Sequence, residues 1–421
     1  MFRSASRIVR GPEVRERWLP PVPLRVVRGN TAADDGGVGS EALILELVRE
    51  QGFDLAGIAP LRPPRDAQRF SDWLAAGRHG AMGYLQRNAD RIVDPRRILP
   101  EGKSILVVGL AHHRAAVALR DGGRVARYAG GRDYHNVMGA MLRKLTAKLR
   151  SSGTMGGGRT IVDAGPLLER SHAAESGVGF ASKAANLLHP QFGPWFFLAE
   201  ILVDADLDPT DPPQAGSCGT CTACIDACPT HAIVGPGEVD ARRCISYQTI
   251  ENRGEIPVAL RPQLGGWAFG CDVCSEVCPW GAHAGDFAHR FGTHRAIAEA
   301  GLVEWLEWGP ELQHRLTGSP LQRPHRAGLA RNAAIALGNV PSEAGRRALL
   351  RALTFDPAPL VREAAGWALS RAHIADAGVR PALERAAHAD GDGTVRSMLQ
   401  HWAAGAHDRE AVSGRPADGG P

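Results

Sequence analysis

Cysteine is missing from residues 1–217 and again from 279–421, so no disulfide framework extends through this chain. Long apolar runs are missing too. Nothing approaches eighteen consecutive apolar residues, which excludes a membrane-spanning helix. The first thirty residues hold seven Arg and two Glu with no continuous apolar segment, so a secretory signal is not expected. Neither sign of charge dominates: 49 Lys and Arg stand against 45 Asp and Glu, a formal +4, too little for a protein that binds nucleic acid by bulk charge. No glycine-rich dinucleotide fingerprint or P-loop occurs, so direct use of a nicotinamide or a nucleoside triphosphate is not indicated.

What is present fits a globular chain of two or three domains: 421 residues, 44% hydrophobic and 22% charged. Residues 1–39 read as a basic flexible extension, a solvated tail more readily than a contact for an anionic partner. Residues 406–421, rich in Gly, Asp and Pro, are expected to be disordered.

All eight cysteines lie between 218 and 278. They read Cys218-x-x-Cys221-x-x-Cys224-x-x-x-Cys228-Pro229, then Cys244, then Cys271-x-x-Cys274-x-x-x-Cys278-Pro279. The first run has the spacing of bacterial ferredoxins, in which the fourth cysteine, ahead of proline, ligates the neighbouring cluster. Applied twice, this rule gives two 4Fe–4S sets: Cys218, Cys221, Cys224 and Cys278 for the first, Cys228, Cys244, Cys271 and Cys274 for the second. Two structural zinc sites are the alternative for eight cysteines, but zinc rarely uses this run. Oxygen-sensitive cubanes suit a reducing cytoplasm.

Before the cysteines the pattern is that of an α/β or α+β core over residues 40–207. Ser40 is placed to cap a helix carrying Leu43, Ile44, Leu47 and Val48, and apolar runs at 55–59, 105–110, 160–163 and 195–203 alternate with helical stretches near 66–77, 134–150 and 166–176. Asp133 is expected to cap the 134–150 helix. A Pro/Asp-rich linker opens a cluster module at 208–290. From 291 to 405 the chain turns Ala/Leu-rich, and Arg331-Asn-Ala-Ala-Ile-Ala-Leu-Gly338 recurs as Arg362-Glu-Ala-Ala-Gly-Trp-Ala-Leu369, with a weaker echo at Arg396. This spacing predicts a HEAT-like α-helical domain, either a plain cap or a face that holds a phosphate backbone. Residues 321–372 contain eight Arg and three acids, Glu343, Asp356 and Glu363.

Several segments together resemble the epoxyqueuosine reductases: Arg127-Tyr-Ala-Gly-Gly-Arg-Asp133-Tyr134-His135, Val162-Asp163-Ala-Gly-Pro166 with Glu169-Arg170, Phe192-Gly-Pro-Trp-Phe-Phe-Leu198-Ala-Glu200, Cys244-Ile-Ser246-Tyr247, and Phe269-Gly-Cys271-Asp272 through Cys278-Pro-Trp280. The likeness runs from about 40 to 372. It implies a cytoplasmic, cobalamin-dependent enzyme that removes the epoxide oxygen from epoxyqueuosine at the wobble position of tRNA, a two-electron, two-proton reduction fed by the two clusters; a monomer is expected. A ferredoxin- or flavodoxin-type protein would supply the electrons. Asp163 matches the family's proton donor, and a carboxylic acid at a leaving alkoxide is worth typically about 10²–10⁴-fold in rate. To hold a proton at neutral pH it needs a raised pKa, which burial would supply. The predicted strand before it also puts Asp163 at a carboxyl end, where open α/β sheets bind ligands.

The resemblance further implies cobalamin contacts at Arg87, Asp163, Lys183, Ala184, Leu187, Leu198, Ser246, Cys271 and Asp272. It implies tRNA contacts in the loop Thr249, Asn252, Arg253 and Glu255, with the arginines Arg331, Arg346, Arg347 and Arg351 of the tail as phosphate partners. The family's Gly-Trp-x-x-Lys-Asn stretch departs here to Gly179-Phe180-Ala-Ser-Lys183-Ala184, losing a polar group near the cofactor. The Asp-x-His-x-x-Gly pattern of His-ligated corrinoid modules is missed at Asp133-Tyr134-His135, whose third following residue is Met138. His112 and His113 end a strand as lesser candidates. Two other readings compete: a corrinoid iron–sulfur reductase acting on a small molecule, dehalogenase-like, and a non-enzymatic ferredoxin-like electron carrier. The first predicts no RNA binding, and the second leaves the α/β core and Asp163 without a role.

Overall fold

The computed structural model describes residues 40–210 and 216–405. The basic extension and the C-terminal tail, with the expectations placed on them, lie outside these. The core is a four-stranded sheet of β1 (Leu55–Pro60), β2 (Ser104–Ala111), β3 (Gly158–Ile161) and β4 (Phe196–Val203) in the order β1-β2-β4-β3. Every neighbouring pair is antiparallel, with Ile58 opposite Leu106, Val107 opposite Glu200 and Ile161 opposite Glu200.

The expectation of a ligand crevice along one carboxyl edge therefore needs correcting, because that rule belongs to parallel sheets. Here β2 and β3 both run against β4. Their carboxyl ends, at His112 and Asp163, share an edge with the start of β4, where the His112 amide donates to the Trp195 carbonyl at 2.9 Å.

Both faces of the sheet are covered, which is why β2 is apolar throughout rather than alternating. One face packs Ile58, Leu106, Val108, Ala199 and Ile201 beneath α1 (Ser40–Glu50) and α2 (Tyr134–Ser151), through Ile44, Val48, Met138, Leu142 and Leu145. The other packs Leu55, Ile105, Val107, Ile161 and Leu202 beneath α3 (Glu169–Glu175) through Ala173. Ser40 is the first residue of α1 rather than a residue outside it. Asp133 caps α2 as expected, accepting the His135 amide at 2.9 Å. The helix predicted at 166–176 begins only at Glu169, because residues 163–168 form a loop.

In the tail, α4 (His325–Asn339), α5 (Glu343–Phe355), α6 (Pro359–His373), α7 (Val379–Ala389) and α8 (Gly393–Ala403) form stacked pairs. The repeated Ala/Gly octets lie in α4 and α6, and the echo at Arg396 lies in α8. Their small residues let the inner helices touch: a Cβ on Gly338 would sit 2.8 Å from Ala368, and one on Gly366 would sit 2.3 Å from Leu399. Arg261, from the cluster module, forms a fully buried ion pair with Glu363 of α6 at 2.8 Å, and its guanidinium also lies over Trp367 and Trp402. Among the described residues, no helix is long and apolar enough to cross a membrane.

Candidate active site and cluster sites

Asp163 follows β3 with φ +53°, a left-handed conformation that costs a non-glycine residue about 1–2 kcal/mol. The turn is held by the Glu169 carboxylate, which accepts the Asp163 amide at 2.7 Å. It aims a side chain that is 59% exposed towards solvent while two neighbours grip one oxygen. The Tyr134 hydroxyl donates to Oδ2, and His135 Nε2 lies 3.5 Å from the same atom. Both neighbours come from the first turn of α2, so the Asp133 cap fixes their register. His135 Nδ1 bonds Asp133 Oδ1 at 2.8 Å, and the Tyr134 ring stacks on Phe197 of β4 at 4.1 Å.

This geometry sets the protons. Crowding by protein would raise the Asp163 carboxyl, but the hydrogen bonds from His135 and Tyr134 outweigh it and hold Asp163 below the usual range. The expected raised pKa is thus corrected. Burial would likewise pull His135 down, yet Asp133 and Asp163 push it up to about 9. Two further acids go the other way: burial and the Asp163 charge push Glu169 up to about 7, and burial with Glu169 alongside pushes Glu200 well above its ordinary value. The proton at this site therefore resides on the groups flanking Asp163.

The thiols fall into two neighbourhoods. Five cysteines, Cys218, Cys221, Cys224, Cys274 and Cys278, line one cavity with Pro194, Pro279 and Trp280; Cys274 is the one of these assigned by spacing to the second set. Short helices at Ala223–Asp226 and Val273–Glu276, one behind each run, pack against each other. Burial raises the Cys224 thiol, with Cys218 and Cys278 adding to it; burial raises Cys244, with Cys228 adding to it. Burial likewise raises Cys271, with Cys274 and Cys244 nearby, and pushes Cys274 up to about 12, with Cys244 nearby. Among the described residues, no three His, Cys, Asp or Glu side chains converge as they would around a single ion. The first thiols stand round a space, an arrangement that cubane ligation can use.

Three family models match the chain: Epoxyqueuosine reductase QueG over 93–164, a 4Fe–4S double cluster binding domain over 217–281, and HEAT repeats over 322–401. The epoxyqueuosine reductase of Xanthomonas campestris pv. campestris is 39% identical over 343 residues, covering 78% of this chain and 95% of that one. The Pseudomonas aeruginosa epoxyqueuosine reductase is 38% identical over 336 residues, covering 77% and 92%. The chain belongs to the epoxyqueuosine reductase family.

Solved members of the family share the architecture over most of the chain. An epoxyqueuosine reductase crystallised with an epoxyqueuosine-modified tRNA-Tyr stem loop superposes with a TM-score of 0.79 at 26% identity, covering 87% of this chain and 98% of that one. The Bacillus subtilis epoxyqueuosine reductase, solved with its catalytic aspartate loop swung out of the active site, gives 0.79 at 27% identity over the same shares. Like its family, the chain is an oxidoreductase with an iron–sulfur double-cluster domain and HEAT-type repeats.

The residues the family resemblance singled out have different local surroundings. Leu187 and Leu198 belong to one apolar cluster beneath the edge that carries Asp163. Arg87 is exposed, and Ser246 is half-buried at the start of a short helix. Asp272 is buried, accepts the Arg127 amide at 2.7 Å, and is pushed up to about 6 by burial. Ala184 lines the first thiol cavity, and Lys183 donates to the Gly219 and Cys221 carbonyls at 2.8 and 3.0 Å, bracing the first cysteine loop. His112 is buried against Phe197 at 4.2 Å and pulled down to about 3 by burial, while His113 accompanies Arg127 at 3.0 Å.

Two expected tRNA contacts are corrected. Arg331 is fully buried, donating to the carbonyls of Gln248, Asn252 and Gly254, so it supports the 249–255 loop from beneath and faces no phosphate. Thr249 is also fully buried; its hydroxyl donates to the Ile245 carbonyl and accepts the Gly270 amide. Asn252 ties the loop to Gln248 and the Glu255 carbonyl, and Arg253 is exposed on it.

The local excess of arginine is also reduced by acids from outside the window: Arg323 pairs with Glu251, Arg351 with Glu307 and Arg362 with Asp390, while Arg346 and Arg347 share Glu343. His135, Tyr134, Glu169 and Glu200 were missed as a unit. The signals were an Asp-x-His step at a helix start and one acid inside the apolar run of β4.

Proposed function

We propose that this chain reduces epoxyqueuosine to queuosine at the wobble position of tRNA, consuming two electrons and two protons and releasing the epoxide oxygen as water. The observation that carries the reading is the Asp163 carboxylate, exposed at a sheet edge and tied to a protonated His135, in a chain that also holds a double-cluster domain. In this reading Cys218, Cys221, Cys224 and Cys278 hold one 4Fe–4S cluster, and Cys228, Cys244, Cys271 and Cys274 hold the other.

Half-buried Leu198, with Leu187 packed in the cluster behind it, would offer an apolar surface to a corrin ring, and exposed Arg87 with half-buried Ser246 would offer polar partners for its amide rim. Cobalamin held there would couple one-electron delivery from the clusters to a two-electron reduction of carbon. The protein's own part is the proton. At neutral pH it resides on His135, whose Nε2 lies 3.5 Å from Asp163 Oδ2, and it passes through Asp163 to the epoxide oxygen as the C–O bond breaks. Exposed Arg253, with Arg347 and Arg351 of α5, would meet the phosphates of a splayed anticodon loop. The setting is cytoplasmic, and the reductant is a ferredoxin- or flavodoxin-type protein.

Anaerobic turnover tests this directly. Reconstituted protein, cobalamin and a chemical reductant are incubated with tRNA carrying epoxyqueuosine, and digested nucleosides are weighed by mass spectrometry. Loss of one oxygen that depends on cobalamin is expected. No conversion by protein with intact clusters and bound cobalamin would sink the reading in favour of a small-molecule substrate.

A further inference from the structure

Behind Asp163, a buried carboxyl group, Glu200, faces a half-buried one, Glu169. Glu200 lies mid-strand in β4, fully buried, on the face carrying Phe196 and Leu202, and neither of its oxygens has a donor. Its strand neighbours across the sheet are Val107 and Ile161, both apolar. What faces it is Glu169, the first residue of α3, whose Oε1 accepts the Asp163 amide at 2.7 Å.

Two carboxylates are acceptors only, so a bond between them needs a proton on one. An ionised Glu200 in this setting would be a buried charge without a partner, which is costly. Two cations stand on the surrounding elements: Arg159 of β3, opposite Leu202, is exposed to solvent, and Arg170 of α3 lowers Glu169, but by less than burial and Asp163 raise it. Arg170 of α3 turns its guanidinium to the Ala185 carbonyl. His172 of α3 is buried and pulled down to about 4 by burial, hence neutral. Glu175, at the end of α3, accepts the Arg65 amide and sits 3.8 Å from Arg62. Burial and the Asp163 charge raise Glu169 to about 7, and burial with Glu169 raises Glu200 well above its ordinary value, so the pair keeps at least one proton at neutral pH.

We propose that Glu169 and Glu200 form a carboxyl pair joined by a shared proton, and that this pair clamps the backbone of Asp163 in its left-handed turn and so sets the aim of its side chain. The inference rests on the reading of Asp163 as proton donor. Both glutamates are positioning residues. A strained turn needs such a restraint: without the bond from its amide, Asp163 relaxes to an ordinary conformation and its carboxyl leaves the His135–Tyr134 grip. The Bacillus subtilis relative with its aspartate loop swung out shows a family member in which this loop takes a second position. Loss of the last shared proton at alkaline pH would put two like charges together behind the loop and open the clamp.

The test uses the full-length reconstituted enzyme and four variants. Glu200→Gln and Glu169→Gln can rebuild the bond with an amide and should keep kcat within about threefold, while flattening the part of the alkaline fall that belongs to the pair. Glu200→Leu and Glu169→Ala cannot, and should lower kcat about 10²-fold, as a misplaced reacting group does, with KM for tRNA and cluster absorbance unchanged. Hydrogen exchange of the 158–168 segment, read by mass spectrometry, should accelerate in Glu200→Leu, where the bond is lost, and not in Glu200→Gln. Wild-type kcat and exchange in both Glu200→Leu and Glu169→Ala would overturn the clamp. Asp163→Asn is run alongside: if it keeps turnover the donor reading fails, whereas an inactive Asp163→Asn beside fully active glutamate variants removes the clamp alone.

Discussion

At the scale of single residues the site is governed by who holds the proton. Asp163 is held low and His135 is held high by the same contact, so the two are oppositely charged across neutral pH. For Asp163→Asn, the amide keeps the shape and loses the acid. Turnover should fall by about 10²–10⁴-fold while iron content and cluster absorbance stay at wild-type values.

The pH dependence follows from His135. Its pKa is raised from the ordinary imidazole value to about 9, so its ionic contact with Asp133 and Asp163 is fully present below the ordinary value and is lost as pH rises through about 9. The imidazole C–H resonance should therefore titrate near 9, and single-turnover rate should fall over the same range. A midpoint near 6.5 would show that the pairing with both aspartates does not persist in solution.

At the scale of elements, the small-residue repeats and the buried arginines explain how the helical tail is attached. The octets in α4 and α6 are small because the helices cross in contact, at Gly338 against Ala368. Arg331 and Asn332 project from α4 into the cluster module, where Asn332 donates to the Thr249 and Ala268 carbonyls at 2.7 and 2.9 Å. Arg331→Leu would leave the carbonyls of Gln248, Asn252 and Gly254 without their donor. The expected cost is about 3 kcal/mol or more, seen as a lower urea midpoint together with faster hydrogen exchange at 248–254. A loss of tRNA affinity with unchanged stability would mean that the side chain reaches solvent after all.

At the scale of the whole molecule, three parts of the chain are joined in sequence: the sheet with α2, the cluster module, and the helical tail. The buried Arg261–Glu363 pair joins the last two, and Arg124 and Arg127 join the first two through Glu276 at 3.0 and 3.1 Å. Electrostatic reach towards RNA belongs to this scale. Arg347 and Arg351 are more than half exposed on α5, though each has an acid beside it. Replacing both by Ala should weaken tRNA binding and reduce the slope of log K against log salt by roughly 0.7–0.9 per lost phosphate contact. An unchanged slope in a filter-binding titration would assign these arginines to the protein's own ion pairs.

The cysteine module was legible from spacing alone, because cubane ligation demands cysteines at short fixed intervals and a proline-terminated fourth position, and local sequence encodes both. The Asp133 cap, the strands and the helical repeats were legible for the same reason, since capping and periodicity are local properties. Other features depended on partners far apart in the chain. Sheet direction, the grip of Tyr134 and His135 on Asp163, and the meeting of Glu169 with Glu200 arise only when β3, β4, α2 and α3 pack together. The burial of Arg331 and the neutralisation of the arginine-rich window by Glu251, Glu307 and Asp390 arise in the same way. Spacing along a chain determines which ligands and caps are available; pKa values and the accessibility of charge are set by groups brought together from distant positions, and those only the tertiary structure decided.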